Sequence, residues 1–166
     1  MTTTLHSLDT AATGLALFDA AGLRPGARVI DVGCGRGSTT LTAARRVGGS
    51  GLVLGVDACL TMLEDARRRV AAAALRHVGF VHGDAQTKRF APLRFDVIVI
   101  AGGLSVFADA DAGVANLSHA LLRGGTLALP APNDHERVRA VVERAGLVDG
   151  DDATPGVVTA TATGPS

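Results

Sequence analysis

Val29-Ile30-Asp31-Val32-Gly33-Cys34-Gly35-Arg36-Gly37 is the stretch whose reading decides the fold. An apolar run ends in an acid and three alternating glycines, and a helix-compatible run follows. The pattern predicts a buried strand, a tight turn and a helix N-terminus. Glycines without a Cβ let a ligand approach the backbone, and the N–H groups of a helix start lie nearby. Two ligand classes use such a loop. A dinucleotide fingerprint requires G-x-G-x-x-G, whereas here the glycines run G-x-G-x-G and Ser38 stands where the third dinucleotide glycine belongs. A carboxylate at Asp31 would repel a pyrophosphate but suits a cationic group such as an ammonium. A zwitterion fits this loop better than a dinucleotide.

Outward from the loop, strands and helices alternate. Before it, Leu8, Ala11, Leu15 and Phe18 fall at helical spacing, with Ser7 placed to cap and Gly22 and Pro25-Gly26 ending the helix. The first strand is expected at Arg28–Val32, followed by a helix from about Gly37 to Val47. Strands are expected at Leu52–Val56, Val78–His82, Phe95–Ala101 and Thr126–Leu129. Between them, one helix presents Leu63, Ala66, Val70 and Ala73. Another, capped by Asp109 or Asp111, carries Val114, Leu117 and Leu121 and stops at Gly124. Asn133 or Asp134 caps a last helix with Val138, Val141, Val142 and Ala145 inward, and Gly146 ends it. Val157–Thr161 reads as a further strand, with a weaker one near Leu147 and a turn at Gly150–Asp152. This alternation predicts an α/β fold: a doubly wound, mostly parallel, Rossmann-like sheet in three α/β/α layers.

With 166 residues, 47% hydrophobic and 19% charged, the expectation is one globular domain spanning 1–166. Formal net charge is zero, Trp and Tyr are absent, and Lys88 is the sole lysine, so nothing points to a nucleic-acid partner. The N-terminus has no signal-peptide pattern and no apolar run matches a membrane span, so a cytoplasmic protein without a membrane partner is expected. Cys34 and Cys59 form no metal-ligand spacing, no metal site is expected, and both thiols are read as reduced.

Asp31-Val32-Gly33-Cys34-Gly35-Arg36-Gly37 resembles motif I of the class I S-adenosylmethionine (SAM)-dependent methyltransferases. Gly55-Val56-Asp57, Gly83-Asp84-Ala85-Gln86, Phe95-Asp96-Val97-Ile98-Val99 and Leu122-Arg123-Gly124-Gly125-Thr126-Leu127 match that family in order and spacing. The nearest flavour is the small-molecule enzymes of ubiquinone and menaquinone biosynthesis. The likeness runs from about Leu15 to Leu147. It implies that the backbone at Gly33 and Gly35, with Cys34 between them, packs on the methionyl part of SAM, whose ammonium lies near Asp31 and the carbonyl of Ala101. Asp57, about twenty residues past the loop, is where an acid accepting both ribose hydroxyls is expected. Ala58 and Met62 would line the adenine, and Asp84 would accept from its amino group beside Ala85.

The reaction implied is methyl transfer to a small-molecule acceptor. No catalytic residue is identified: His6, His77, His82, His119 and His135 are candidates for a general base by type alone, and the run Arg67–Arg69 reads as a solvated face. Related enzymes insert a segment between the fifth strand and the last helix, and it builds their acceptor pocket. Here Leu129-Pro130-Ala131-Pro132 leads directly into Asn133, and the N-terminal segment is brief. The SAM floor is therefore expected to be complete and the acceptor site pared away, with an open apolar rim at Leu104, Val106 and Phe107 completed by a homodimer or partner protein. The alternative is a non-catalytic SAM-binding subunit or sensor. A nicotinamide oxidoreductase ranks third, on the evidence of Asp31 and Ser38.

Overall fold

A computed structural model describes residues 13–92, 94–131, 133–150 and 154–163. Ser7, Leu8 and Ala11 of the expected first helix, His6, and most of the Gly150–Asp152 turn lie outside the described residues. Residues 13–20 are helical (α1). Then follow β1 (Arg28–Val32), α2 (Ser38–Val47), β2 (Leu52–Asp57), α3 (Leu60–Ala72), β3 (Val78–His82) and β4 (Phe95–Val99). A 3₁₀ turn at Gly103–Val106 leads to α4 (Ala110–Ser118), β5 (Leu121–Pro130), α5 (His135–Arg144), β6 (Leu147–Asp149) and β7 (Val157–Ala162).

The strands form one seven-stranded sheet in the order β3-β2-β1-β4-β5-β7-β6. β1 to β5 pair in parallel, and β7 runs antiparallel between β5 and β6. The chain winds outward from β1 to β3, then crosses back to β4, so the strand order reverses between β1 and β4. In such sheets the crevice for ligands opens beyond the carboxyl ends at that switch.

Alternation along the strands sorts side chains to two cores. Ile30, Val32, Ile98 and Leu127 join Val114 and Leu117 of α4 and Val138, Val141 and Val142 of α5. On the other face, Val29, Val53, Val97 and Val99 meet Leu17 and Phe18 of α1 and Ala43, Ala44 and Val47 of α2. Strands buried on both faces need apolar residues at consecutive positions, which is why β1 and β4 carry them.

Three expected boundaries move. Leu121 is in β5, not in the preceding helix, because the sheet claims the backbone there. The carbonyl of Ala120 accepts from both Arg94 and Phe95, and Leu121 pairs with Phe95 in the core. Gly124 lies inside β5 at φ 75° rather than ending a helix. Its neighbour Gly125 leaves no room for a side chain: a Cβ would stand 2.8 Å from the Leu122 carbonyl oxygen. β4 ends at Val99, since the carbonyl of Ile100 already accepts from Gly103 in the following turn. Ala73 is exposed beyond the end of α3, and Ala74 takes a left-handed conformation at φ 55°. Of the two candidate caps for α4, Asp109 accepts from the Ala112 N–H, whereas Asp111 takes a two-pronged ion pair from Arg144 of α5. That guanidinium holds the Asp111 carboxyl below its ordinary range.

Candidate functional site

At the carboxyl edge, the loop after β1 forms because successive glycines accept left-handed backbone: φ is 67° at Gly33, 52° at Gly35 and 79° at Gly37. Gly37 caps α2 and leaves no space for a side chain without pressing on Ala66 of α3. Four N–H groups of this loop are already committed. Gly33 and Cys34 both donate to the Val56 carbonyl, Gly37 to that of Cys34, and Gly35 to Asp57 Oδ2 at 2.8 Å. Such a loop offers a ligand bare surface rather than a cluster of donors, which is unlike a pyrophosphate cradle.

Asp57 ends β2. One carboxylate oxygen ties down Gly35 and the other accepts from the Cys59 N–H at 2.8 Å. Asp84, past β3, is likewise positioned: Gln86 donates to it through both its backbone and its side-chain amide, at 2.8 and 2.9 Å. Gln86 Oε1 in turn accepts from the Asp109 N–H at the start of α4, and the Asn116 side chain of α4 donates to the backbone carbonyls of Ala85 and Lys88. The whole turn after β3 is therefore stapled to α4.

Gly33, Asp57, Ala58, Gly83, Asp84 and Ala85 converge on one cleft, with Val106 and Phe107 on its far wall. Its volume is about 50 Å³, against roughly 300–1,000 Å³ for a usual small-molecule site. Val106 accounts for the narrowness. Its Cγ1 would lie 3.2 Å from a Cβ on Gly33 and 2.5 Å from one on Gly102, so it stands between the two glycines. Met62 is exposed on α3, with its sulfur 3.7 Å from where a Gly35 Cβ would be.

Five expected site residues do not line this cleft, Gly35 and the exposed Met62 among them. Asp31 is wholly buried beneath the loop and does not line the cleft; Thr40 of α2 donates to its Oδ2 at 2.6 Å, and Oδ1 has no partner. Burial raises its pKa to about 7, the Thr40 hydrogen bond opposes that, and the charge of Asp57 adds to it. Cys34 turns its side chain inward against Gly55, whose missing Cβ would come 2.9 Å from the sulfur. Burial drives this thiol far above its ordinary range, with Asp31 and Asp57 assisting. Ala101 lines a second cleft of about 400 Å³ beyond β4 and β5, with Thr13, Ser105, Asn133, Asp134 and Arg137.

That second cleft departs from the sequence reading. The connection from β5 to α5 is indeed only residues 131–134, yet a sizeable space remains above it. Of the expected open apolar rim, Val106 is exposed and Leu104 is half-buried along the second cleft, but Phe107 is buried with its ring against Gly113, where a Cβ would approach to 2.5 Å. Among the described histidines, none lines either cleft. His77 Nε2 lies 2.9 Å from the Ala44 carbonyl and His82 Nε2 lies 3.0 Å from that of Ala58, His119 sits past the end of α4, and His135 opens α5. Arg36 pairs with Asp65 at 3.5 Å. Arg69, read as merely solvated, instead donates to the Arg36 carbonyl and to Ser38, clamping the loop from α3. The sequence reading did not single out Thr40, and it gave Gln86 and Val106 other parts, one as a motif residue and the other as open rim. Thr40 left a trace, as one of two adjacent threonines on the inner side of an otherwise apolar helix.

Among the described residues no cluster of His, Cys, Asp and Glu is arranged for a metal, and no helix is long and apolar enough to cross a membrane. Residues 29–125 match a family model described as a methyltransferase domain. The aklanonic acid methyltransferase of Streptomyces sp. (strain C5) is 35% identical over 107 residues, covering 64% of this chain and 49% of that protein. A demethylmenaquinone methyltransferase of Staphylococcus aureus (strain MRSA252) is 34% identical over 104 residues, covering 63% and 42%. The chain thus spans about half the length of the curated relatives it matches. A SAM-dependent methyltransferase from Aquifex aeolicus has the same fold, with a TM-score of 0.78 over 90% of this chain and 89% of that one, at 20% identity.

Proposed function

This chain belongs to the methyltransferase domain family, and from that premise we propose that it transfers a methyl group from SAM to a small-molecule acceptor. The observation that carries the reading is the convergence of a donor-poor glycine loop with Asp57 and Asp84 on one cleft at the sheet's switch point. The donor set suits the cofactor. Each Asp57 oxygen has one N–H bond and retains capacity for a ribose hydroxyl. Ala58, Met62, Asp84 and Ala85 supply a small, partly acidic surface for adenine. Gly33, Cys34 and Gly35 contribute backbone, and Ala101 a carbonyl, on the methionyl side. Asp31 acts through the loop as a buried carboxyl rather than by contact.

The chemistry supplied by the bound cofactor is an electrophilic sulfonium methyl, so this chain's residues mainly hold and align. Val106 stands between the two clefts, where it would exclude water from the transfer path. The second cleft is the acceptor side, with Asn133 and the Asp134–Arg137 pair, 3.5 Å apart, as its polar groups. No described histidine lines it, which favours an acceptor oxygen that is already acidic over one needing a strong base. Among the described residues the cleft is open, and a second copy of the chain or a partner protein over it completes the enclosure. The short connection at 131–134 favours this over a self-contained pocket.

Calorimetry tests the cofactor. Saturable binding of SAM and S-adenosylhomocysteine is expected, and heat with NAD(H) but with neither SAM form would overturn the reading. Turnover against a panel of acidic hydroxylated and carboxylated metabolites tests the activity. Binding of SAM with no turnover, alone or with a partner, would instead support a non-catalytic subunit.

A further inference from the structure

On the face of the sheet that carries α4 and α5, no helix lies between β3 and β4 among the described residues; the chain crosses as an irregular segment. This leaves a groove of about 350 Å³ over Arg28 of β1, Leu54 of β2 and Val81 of β3. Its floor is apolar: Leu54, Val81 and Phe90, all part-exposed, with Phe95 beneath. Its rim carries Arg28, Lys88, Arg89 and Arg94, and no acid lines it.

Those four cations are a quarter of the sixteen in a chain whose net charge is zero. Among the described residues none of the four enters an ion pair, whereas Arg36, Arg46, Arg68, Arg137, Arg139 and Arg144 do. Nor does the rim hang loosely. Arg28 lies over the Phe95 ring at 5.8 Å and its N–H is held by Asp96, Asn116 grips the Lys88 carbonyl, and the Arg94 N–H is bound to Ala120. Unpaired cations around an apolar floor suit a ligand with both properties.

We propose that this groove binds a free anionic amphiphile, a small molecule with an aliphatic or flat body and a carboxylate or similar acid. The size argues for a single small molecule over an acidic peptide, which needs a longer track. The clustering of charge at one spot, with neither Trp nor Tyr in the chain, argues against a nucleic-acid strand. The groove shares no lining residue with the proposed methyl-transfer clefts, although Lys88 packs against Gly83 at the edge of the first, 3.3 Å from where a Cβ there would stand.

The test is titration of the whole chain with decanoate below its micelle concentration, beside decanol and decyltrimethylammonium. Decanoate should bind saturably with one molecule per chain, and the neutral and cationic analogues at least about tenfold more weakly, a difference of about 1.4 kcal/mol. The exposed double substitution Arg89→Glu/Arg94→Glu should abolish that preference while leaving the circular dichroism and the SAM titration unchanged. Should the double variant misfold, Arg94→Gln alone must still weaken decanoate. Equal binding of decanol, an unaffected folded variant, no binding of decanoate, or binding only to polyglutamate or to phosphatidylglycerol vesicles would each overturn the proposal.

Discussion

Asp31 shows how one position can carry both fold and chemistry. Its carboxyl is enclosed, and only Thr40 answers it. With a folded pKa of about 7 against an ordinary 3.8, the folded state holds its proton more tightly than the unfolded chain. Stability is therefore full below about pH 4 and is lost as pH rises toward 7, by an amount on the order of a few kcal/mol. Melting curves of Asp31→Asn should be flatter across that window than those of the parent; parallel curves would show that Asp31 does not titrate there. Asp57 makes a different prediction. Removing it frees the Gly35 and Cys59 N–H groups and deletes a charged acceptor, worth on the order of 1.5–3 kcal/mol per hydrogen bond. Asp57→Ala should thus weaken SAM binding by tenfold or more, whereas Asp109→Ala should cost about 1 kcal/mol of stability as a lost helix cap and leave affinity alone. Equal affinities in the two variants would remove Asp57 from the site. Val106 should act in the opposite direction. Val106→Ala widens the space over Gly33 and Gly102, so SAM affinity should rise; a weaker titration would mean that Val106 is a contact and not an obstruction.

Two glycines separate packing from backbone strain at the level of elements. Gly113 lies in α4 where the Phe107 ring fills the place of a side chain, with Cδ1 2.5 Å from a would-be Cβ. Gly124 lies in β5 at φ 75° with nothing within 4 Å. Gly113→Ala must displace the ring and the turn that carries Val106, costing about 1–3 kcal/mol and altering SAM binding. Gly124→Ala pays only for left-handed backbone, about 1 kcal/mol, with no effect on binding. Thermal denaturation beside calorimetry distinguishes them, and an affinity change confined to Gly124→Ala would reverse the assignment. The connections explain why these elements matter. Gln86 and Asn116 tie the turn after β3 to α4, and Arg69 ties α3 to the glycine loop. The cleft is thus framed by helices as much as by strand ends.

For the molecule as a whole, the central question is what covers the second cleft. It is bounded by the 3₁₀ turn, the four-residue connection into α5 and α1, and an acceptor there is aligned only if something closes over it. Dilute monomer should turn over slowly, because proximity contributes little when the acceptor is not held. Light scattering at the assay concentration, beside turnover, checks this. A strict monomer working at an ordinary rate, on the order of 1–10³ per second, would show that the cleft needs no cover.

Much of this architecture was legible before any coordinates. β1 and β3 coincide with the expected ranges, and β2 exceeds its range by one residue. Consecutive apolar residues ending in an acid or glycine specify a buried parallel strand through local preference alone. The glycine loop and the positions of Asp57 and Asp84 at strand ends follow from the same local signals, since each is set by its own few neighbours. The tertiary structure decided what depended on distant segments meeting. Leu121 joined the sheet because Phe95 offered it a partner. Asp31 sank beneath the loop, where Thr40 meets one of its two oxygens, and N–H groups of the loop were taken by Val56 and Asp57. Val106 came to rest between Gly33 and Gly102 because Phe107, one residue on, is anchored against Gly113. Periodicity and residue type fix how a segment folds on itself. Which polar group is spent and which space is filled is settled only when segments far apart in sequence compete for the same hydrogen bonds and volume.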